Sequence, residues 1–129
     1  MPKILVIDDE EKVRKVITLH LTKAGYDVVT ASNGFEALKD LDSIKPDLVI
    51  TDIMMPKVSG LEFGKALHHS AETRGIPFII ISARYDEETV QKAKDIGASR
   101  FIAKPFEMKL LLASIEKVLE DKVEAENNH

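Results

Sequence analysis

The sequence predicts a doubly wound α/β fold, a five-stranded parallel sheet between two layers of helices, on three observations. Short apolar runs alternate with stretches of helical periodicity, in the order strand then helix, five times over. The runs are continuous and rich in β-branched residues rather than alternating, which suits strands covered on both faces. The chain has 129 residues, close to one ordinary domain and enough to bury a core without covalent staples.

Ile4 to Ile7 is the first apolar run, and Val13, Val16, Ile17 and Leu21 then form one helical stripe that Gly25 stops. Asp27 to Ala31 is more polar and fits an edge strand. Ala37, Leu38 and Leu41 mark a short second helix, opened by Ser32, Asn33 and Gly34 and closed before Pro46. Leu48 to Ile50 is the third strand, and Gly60, Phe63, Gly64 and Leu67 give the third helix. Phe78 to Ile81 is the fourth strand; Val90, Ala93 and Gly97 mark a fourth helix with a thin apolar face. The weaker run Phe101 to Ala103 precedes a strong fifth helix built on Met108, Leu111, Leu112, Ile115, Val118 and Leu119. Right-handed crossovers place such helices on both faces of a parallel sheet. Residues 1–122 are expected to form the domain, and the polar residues after Leu119, including the tail 123–129, read as frayed helix or linker.

Composition narrows the function. Zero cysteines remove thiolate metal sites and cysteine nucleophiles. A net charge of −4 with no basic stripe argues against direct nucleic acid binding, which needs cations to neutralise phosphates. No apolar run approaches the roughly 20 residues that span a bilayer, and the first residues do not open a signal peptide, so a cytoplasmic protein away from membranes is expected.

The residues that end each strand are the informative feature. Asp8 and Asp9 close the first run, Asp52 the third, Ser82 the fourth and Lys104 the fifth. In open doubly wound sheets ligands bind beyond the carboxyl ends of the strands, where the strand order reverses. For the order 2-1-3-4-5 that point lies between strands one and three, so the three acids would converge. Carboxylates this close repel, and one would take up a proton unless a cation joined them. Lys104 supplies one charge, and a hard divalent ion with oxygen ligands, Mg²⁺, fits the rest. The competing role for Asp8 and Asp9 is capping of the first helix. The four histidines are scattered, and the adjacent His68 and His69 point to different sides of a helix, so they make no ligand set.

From Lys3 to about Leu119 these residues resemble the receiver domain of two-component response regulators, a flavodoxin-like (βα)5 three-layer sandwich. The most specific piece is Asp52-Ile53-Met54-Met55-Pro56-Lys57-Val58-Ser59-Gly60; paired acids, a strand-end hydroxyl and lysine followed by proline complete the pattern. The resemblance implies that Asp52 takes a phosphoryl group from a phosphohistidine on a histidine kinase or histidine phosphotransfer protein. It implies Mg²⁺ bound by Asp9 directly, Asp8 largely through water, Asp52, and the backbone carbonyl of Met54. Lys104, Ser82 and the amide of Ala83 would contact phosphoryl oxygens, and the Lys104–Pro105 peptide would be cis. Phe101 matches the family's switch aromatic, although it lacks the hydroxyl some relatives carry there. Met54 and Arg84 would flank the path of the hydrolytic water. Output would be contact, by helix four, strand five and helix five, with a protein target or a second copy. Such a protein promotes its own phosphorylation and dephosphorylation and is not a turnover enzyme. Two other readings remain open on sequence: a phosphorylation-independent adaptor with this fold, and a phosphatase resembling the haloacid dehalogenase-like enzymes. The latter generally place a second acid two residues after the nucleophile, where this chain has Met54.

Overall fold

The computed structural model describes residues 1–53 and 58–127. Strands β1 (Lys3–Ile7), β2 (Asp27–Ala31), β3 (Leu48–Asp52), β4 (Phe78–Ser82) and β5 (Arg100–Ala103) alternate with helices α1 (Glu11–Lys23), α2 (Gly34–Ile44), α3 (Gly60–His69), α4 (Glu87–Asp95) and α5 (Met108–Asn127). The strands form one sheet in the order β2-β1-β3-β4-β5, and every pairing is parallel. This is the flavodoxin-like α/β architecture. The polar run Asp27 to Ala31 takes an edge, where only one flank must be hydrogen-bonded.

The continuous apolar runs reflect a sheet buried on both sides. Ile4, Val6, Leu48, Ile50, Ile79, Ile81 and Ile102 face α1 and α5, meeting Ile17, Leu21, Leu111, Ile115 and Val118. Their strand neighbours Leu5, Ile7, Val49, Phe78 and Ile80 face the other layer, against Ala37, Leu41, Phe63, Leu67 and Ala93. Side chains alternate along a strand, so each central strand needs apolar residues at every position.

Helix boundaries have local causes. Gly25, at φ 97°, takes the left-handed turn after α1, and the amides of Gly25 and Tyr26 return to the carbonyls of Thr22 and Leu21. Asn33 caps α2 by accepting from the Glu36 amide at 2.8 Å. Ser59 and Glu62 form a reciprocal capping box on α3.

Two expectations are modified, and of the two readings of the tail, frayed helix or linker, the described residues take the helix. Val16 is 51% exposed, because Val13, Ile17 and Leu21, four apart, form the line that meets the sheet and Val16 sits on its margin. β3 and β4 run beyond their apolar runs to Asp52 and Ser82, since the ladder continues through Asp52 opposite Ile81 and Ser82 opposite Ala103. The polar residues after Leu119 are helical through Asn127, with Lys122 Nζ donating to the Asp47 carbonyl oxygen at 3.3 Å and lying 3.7 Å from its carboxylate. Among the described residues no helix is long and apolar enough to cross a membrane.

Candidate functional site

The strand order sets the site. β1 and β3 are adjacent and parallel, so Asp8, just past β1, and Asp52, the last residue of β3, emerge side by side at the carboxyl edge. Both are buried. Lys104, just past β5, reaches across β4 and donates its ammonium to Asp52 Oδ2 at 2.6 Å and Asp8 Oδ2 at 3.0 Å. The two carboxylate oxygens are therefore no further apart than those two contacts allow. Lys104 is itself held, its amide bonded to the Ser82 carbonyl at 2.8 Å and its side chain only 16% exposed.

Asp8 is fixed from three directions. Its Oδ1 accepts from the Glu10 amide at 2.9 Å, its Oδ2 from Lys104, and its carbonyl oxygen from Arg14 Nη1 at 2.6 Å. Burial raises its pKa above the ordinary carboxylate value, and the neighbouring Asp52 charge adds to this, against the lowering effect of the Glu10 amide and Lys104. Burial opposes the Lys104 ammonium too, but its hydrogen bonds to Asp52 and Asp8 outweigh that and raise its pKa. Beneath Asp52, Gly60 lies so close that a Cβ there would sit 2.9 Å from the Asp52 carbonyl carbon. The Thr51 hydroxyl donates to the Asp52 carbonyl oxygen at 3.0 Å.

The donor set suits a hard cation. Asp8, Asp9 and Glu10 can bring one carboxylate oxygen each within 4.8 Å of one another, Asp9 and Glu10 being exposed and Asp8 buried. Two buried carboxylates share one ammonium, so negative charge remains for a dication with oxygen preference, and Mg²⁺ fits those residues. Met54, whose carbonyl was the fourth expected ligand, lies outside the described residues, as do Met55, Pro56 and Lys57.

Of the remaining expected residues, Ser82, Ala83 and Pro105 lie at the same edge, and Phe101 sits within β5 opposite Ile80. Ser82 is buried, and its Oγ accepts from the Arg84 amide at 3.1 Å. Ala83 comes next in the chain, on the exposed side. The Lys104–Pro105 peptide is cis. Phe101 is half-buried on β5, its ring centroid 5.7 Å from that of the exposed Tyr85 and tilted by 56°. Arg84 Nε contacts Asp86 Oδ2 at 2.9 Å, and Asp86 Oδ1 accepts from the Thr89 amide at 2.8 Å, capping α4. The helix-capping alternative for Asp8 and Asp9 is not met: Asp8 Oδ1 accepts from the amide of Glu10, which is itself the N-cap residue of α1 and makes no side-chain cap bond. Sequence reasoning missed Glu10 as a member of the acidic group and Arg14 as a brace on Asp8. The first signal was adjacency. The second was invisible, because a side chain reaching a carbonyl six residues back leaves no pattern.

Comparison with known proteins gives the same outline. Residues 4–116 match the family model for the response regulator receiver domain. The alkaline phosphatase synthesis transcriptional regulatory protein PhoP of Bacillus subtilis is 37% identical over 117 residues, covering 91% of this chain and 48% of that protein. The phosphate regulon transcriptional regulatory protein PhoB of Klebsiella pneumoniae is 38% identical over 117 residues, covering 91% and 51%. The chain thus spans about half the length of the curated relatives it matches. Among solved structures, chemotaxis protein CheY4 of Vibrio cholerae is similar at a TM-score of 0.86 and 33% identity, covering 92% of this chain and 98% of that one.

Proposed function

Because this chain belongs to the response regulator receiver domain family of two-component systems, we propose that it is phosphorylated on Asp52 and signals by a conformational change. The family is one of receivers and not of turnover enzymes, and a two-component receiver implies a histidine kinase partner. The single observation that carries the residue assignment is Lys104: one ammonium in contact with acids from two strands puts those acids at one point.

The donor is the phosphohistidine of a histidine kinase or histidine phosphotransfer protein. An Asp52 carboxylate oxygen attacks phosphorus, the P–N bond breaks with its electron pair returning to the imidazole, and an acyl phosphate forms. A carboxylate is a modest nucleophile, so positioning and charge neutralisation carry the step. Lys104 exchanges its carboxylate contact for a phosphoryl oxygen, and the Ser82 hydroxyl and Ala83 amide donate to the others. Asp9, Asp52, Asp8 through water and the Met54 carbonyl would hold Mg²⁺. When bound, the ion supplies charge neutralisation for the phosphoryl oxygens.

Movement of Ser82 toward those oxygens opens space for Phe101 to turn inward. The change is read on the face of α4, β5 and α5 by a protein target or a second copy. Support comes from α4, which buries only Thr89 and Ala93 and so is loosely held. This domain itself makes no nucleic acid or membrane contact and acts in the cytoplasm.

Intact-mass measurement after incubation with Mg²⁺ and a small phosphodonor tests the reading. One added phosphoryl group in the wild type and none in Asp52→Asn is expected. An unmodified wild type would favour the adaptor.

A further inference from the structure

We propose that Arg84 is a second cation on the phosphoryl group, and that in reaching it Arg84 gives up Asp86 and slackens the amino-terminal cap of α4. The inference rests on the reading that Asp52 is phosphorylated.

Three bonds in series carry it. The Arg84 amide donates to Ser82 Oγ at 3.1 Å, so the backbone of Arg84 already lies on the hydroxyl that faces the phosphoryl group. The Arg84 Nε donates to Asp86 Oδ2 at 2.9 Å. The other oxygen of that carboxylate, Oδ1, accepts from the Thr89 amide at 2.8 Å, and Thr89 is one of two buried residues on α4. A single carboxylate therefore holds the guanidinium with one oxygen and the first turn of a helix with the other. The Thr89 amide first, and then Arg84, hold the Asp86 carboxyl well down, at about 2.

Magnitudes decide which partner the guanidinium takes. The Arg84 and Asp86 side chains are 60% and 46% exposed, so their pair is screened by water and weak. An aspartyl phosphate presents close to two negative charges and several acceptor oxygens, in an arrangement a planar guanidinium matches with paired hydrogen bonds. Lys104 brings a single ammonium that Asp8 and Asp52 already share. Arg84, on the loop directly after Ser82, is among the described residues an adjacent cation with a surrenderable partner. Once it leaves, the Asp86 carboxylate is held by Thr89 alone, through its amide and its side chain, and the cap it forms is weakened. Phosphorylation at the end of β3 is thereby read at the start of α4, through side chains that a shift of the Ser82 loop alone does not require.

The test is NMR of the whole chain before and after phosphorylation by a small phosphodonor with Mg²⁺, with intact mass recording the phosphoryl group in each sample. In the wild type the Arg84 Nε–H resonance is expected to shift, and the Thr89 amide to exchange roughly two- to fivefold faster, as partial loss of a cap implies. In Arg84→Met, Thr89 exchange is expected to be fast in both states and unresponsive to phosphorylation, with Arg84→Lys restoring part of the response. Acyl-phosphate lifetime is expected to change in opposite directions in Arg84→Met and Asp86→Asn, because the second variant frees Arg84 while keeping a side-chain oxygen for the cap. A phosphorylated wild type with unmoved Arg84 and Thr89 signals overturns the proposal and leaves the assignment of Asp52 standing. So does an Arg84→Met variant that responds as the wild type does, or a lifetime change of the same sign in both variants. A wild type that gains no phosphoryl mass overturns the assignment of Asp52 and this inference with it.

Discussion

Replacing Gly60 by alanine separates the positioning of Asp52 from the stability of the fold. A Cβ at residue 60 would lie 2.9 Å from the Asp52 carbonyl carbon, 3.1 Å from Ile53 Cα, and closer still to the Asp52 carbonyl oxygen, where ordinary contact begins at 3.4 Å. These are backbone atoms, so no rotamer change relieves the clash. The end of β3 must retreat by about one ångström, at a cost of about 1–3 kcal/mol for overpacking. Such a loss leaves a domain with about 5–15 kcal/mol of stability folded at room temperature. A displacement near 1 Å at a reacting group is worth roughly 10²-fold in rate. Gly64→Ala is the matched control: its Cβ would meet the Phe78 ring at 2.7 Å and Ile96 Cδ1 at 2.9 Å, in the same helix but away from the carboxylates. Rates of phosphorylation by a small phosphodonor, beside urea unfolding curves, are expected to show similar losses of stability in both variants. The roughly 10²-fold loss of rate is expected in Gly60→Ala alone. A Gly60→Ala protein phosphorylating within a few-fold of the wild type, or a Gly64→Ala protein slowed equally, would refute the reasoning.

Asp8 gives a pH prediction. Burial first, with the Asp52 charge, raises its folded pKa above the ordinary 3.8, so ionised Asp8 opposes folding. That penalty is absent below the unfolded pKa, develops as pH rises through it and is complete above the folded pKa. Asp8→Asn, with divalent ions chelated, should melt above the wild type at pH 7, the gap closing below about pH 3.8. Saturating Mg²⁺ should raise the wild-type melting temperature by more than that of the variant. Lys104→Met removes the ammonium between two buried carboxylates; a loss of about 3 kcal/mol in chelator is expected from chemical denaturation, and an unchanged midpoint would deny that the contacts seen are made in solution. Amide exchange over α4, β5 and α5 should change when a phosphoryl mimic binds, and identical exchange with and without it would remove that face as the output surface.

The fold and much of the site edge were legible for one physical reason: a parallel sheet covered on both faces leaves its chemistry only at the strand ends, so the polar residues that terminate the apolar runs, Asp8, Asp52, Ser82 and Lys104, gather at one edge. Local signals also carried Gly25 and Asn33, whose roles are settled within a few residues of chain. Features made by distant contact were not legible. Val16 has the spacing of a core residue, but the placement of α1 on the sheet leaves it outside. The helix beyond Leu119 has little apolar content, and its hold on the body comes from Lys122 bonding Asp47, 75 residues away in sequence. The Arg84 to Asp86 to Thr89 series is short in sequence, yet only coordinates show that one carboxylate serves both neighbours.

In the proposed function the ends of β1 and β3 make one phosphorylation centre with Asp52 as its acceptor. Borohydride reduction of the phosphorylated protein converts an aspartyl phosphate to homoserine, which peptide mass spectrometry locates. Homoserine is expected at residue 52, formed only when Mg²⁺ was present and lost in Asp9→Asn. Homoserine at Asp8 or Asp9, or labelling of residue 52 that ignores Mg²⁺, would contradict it.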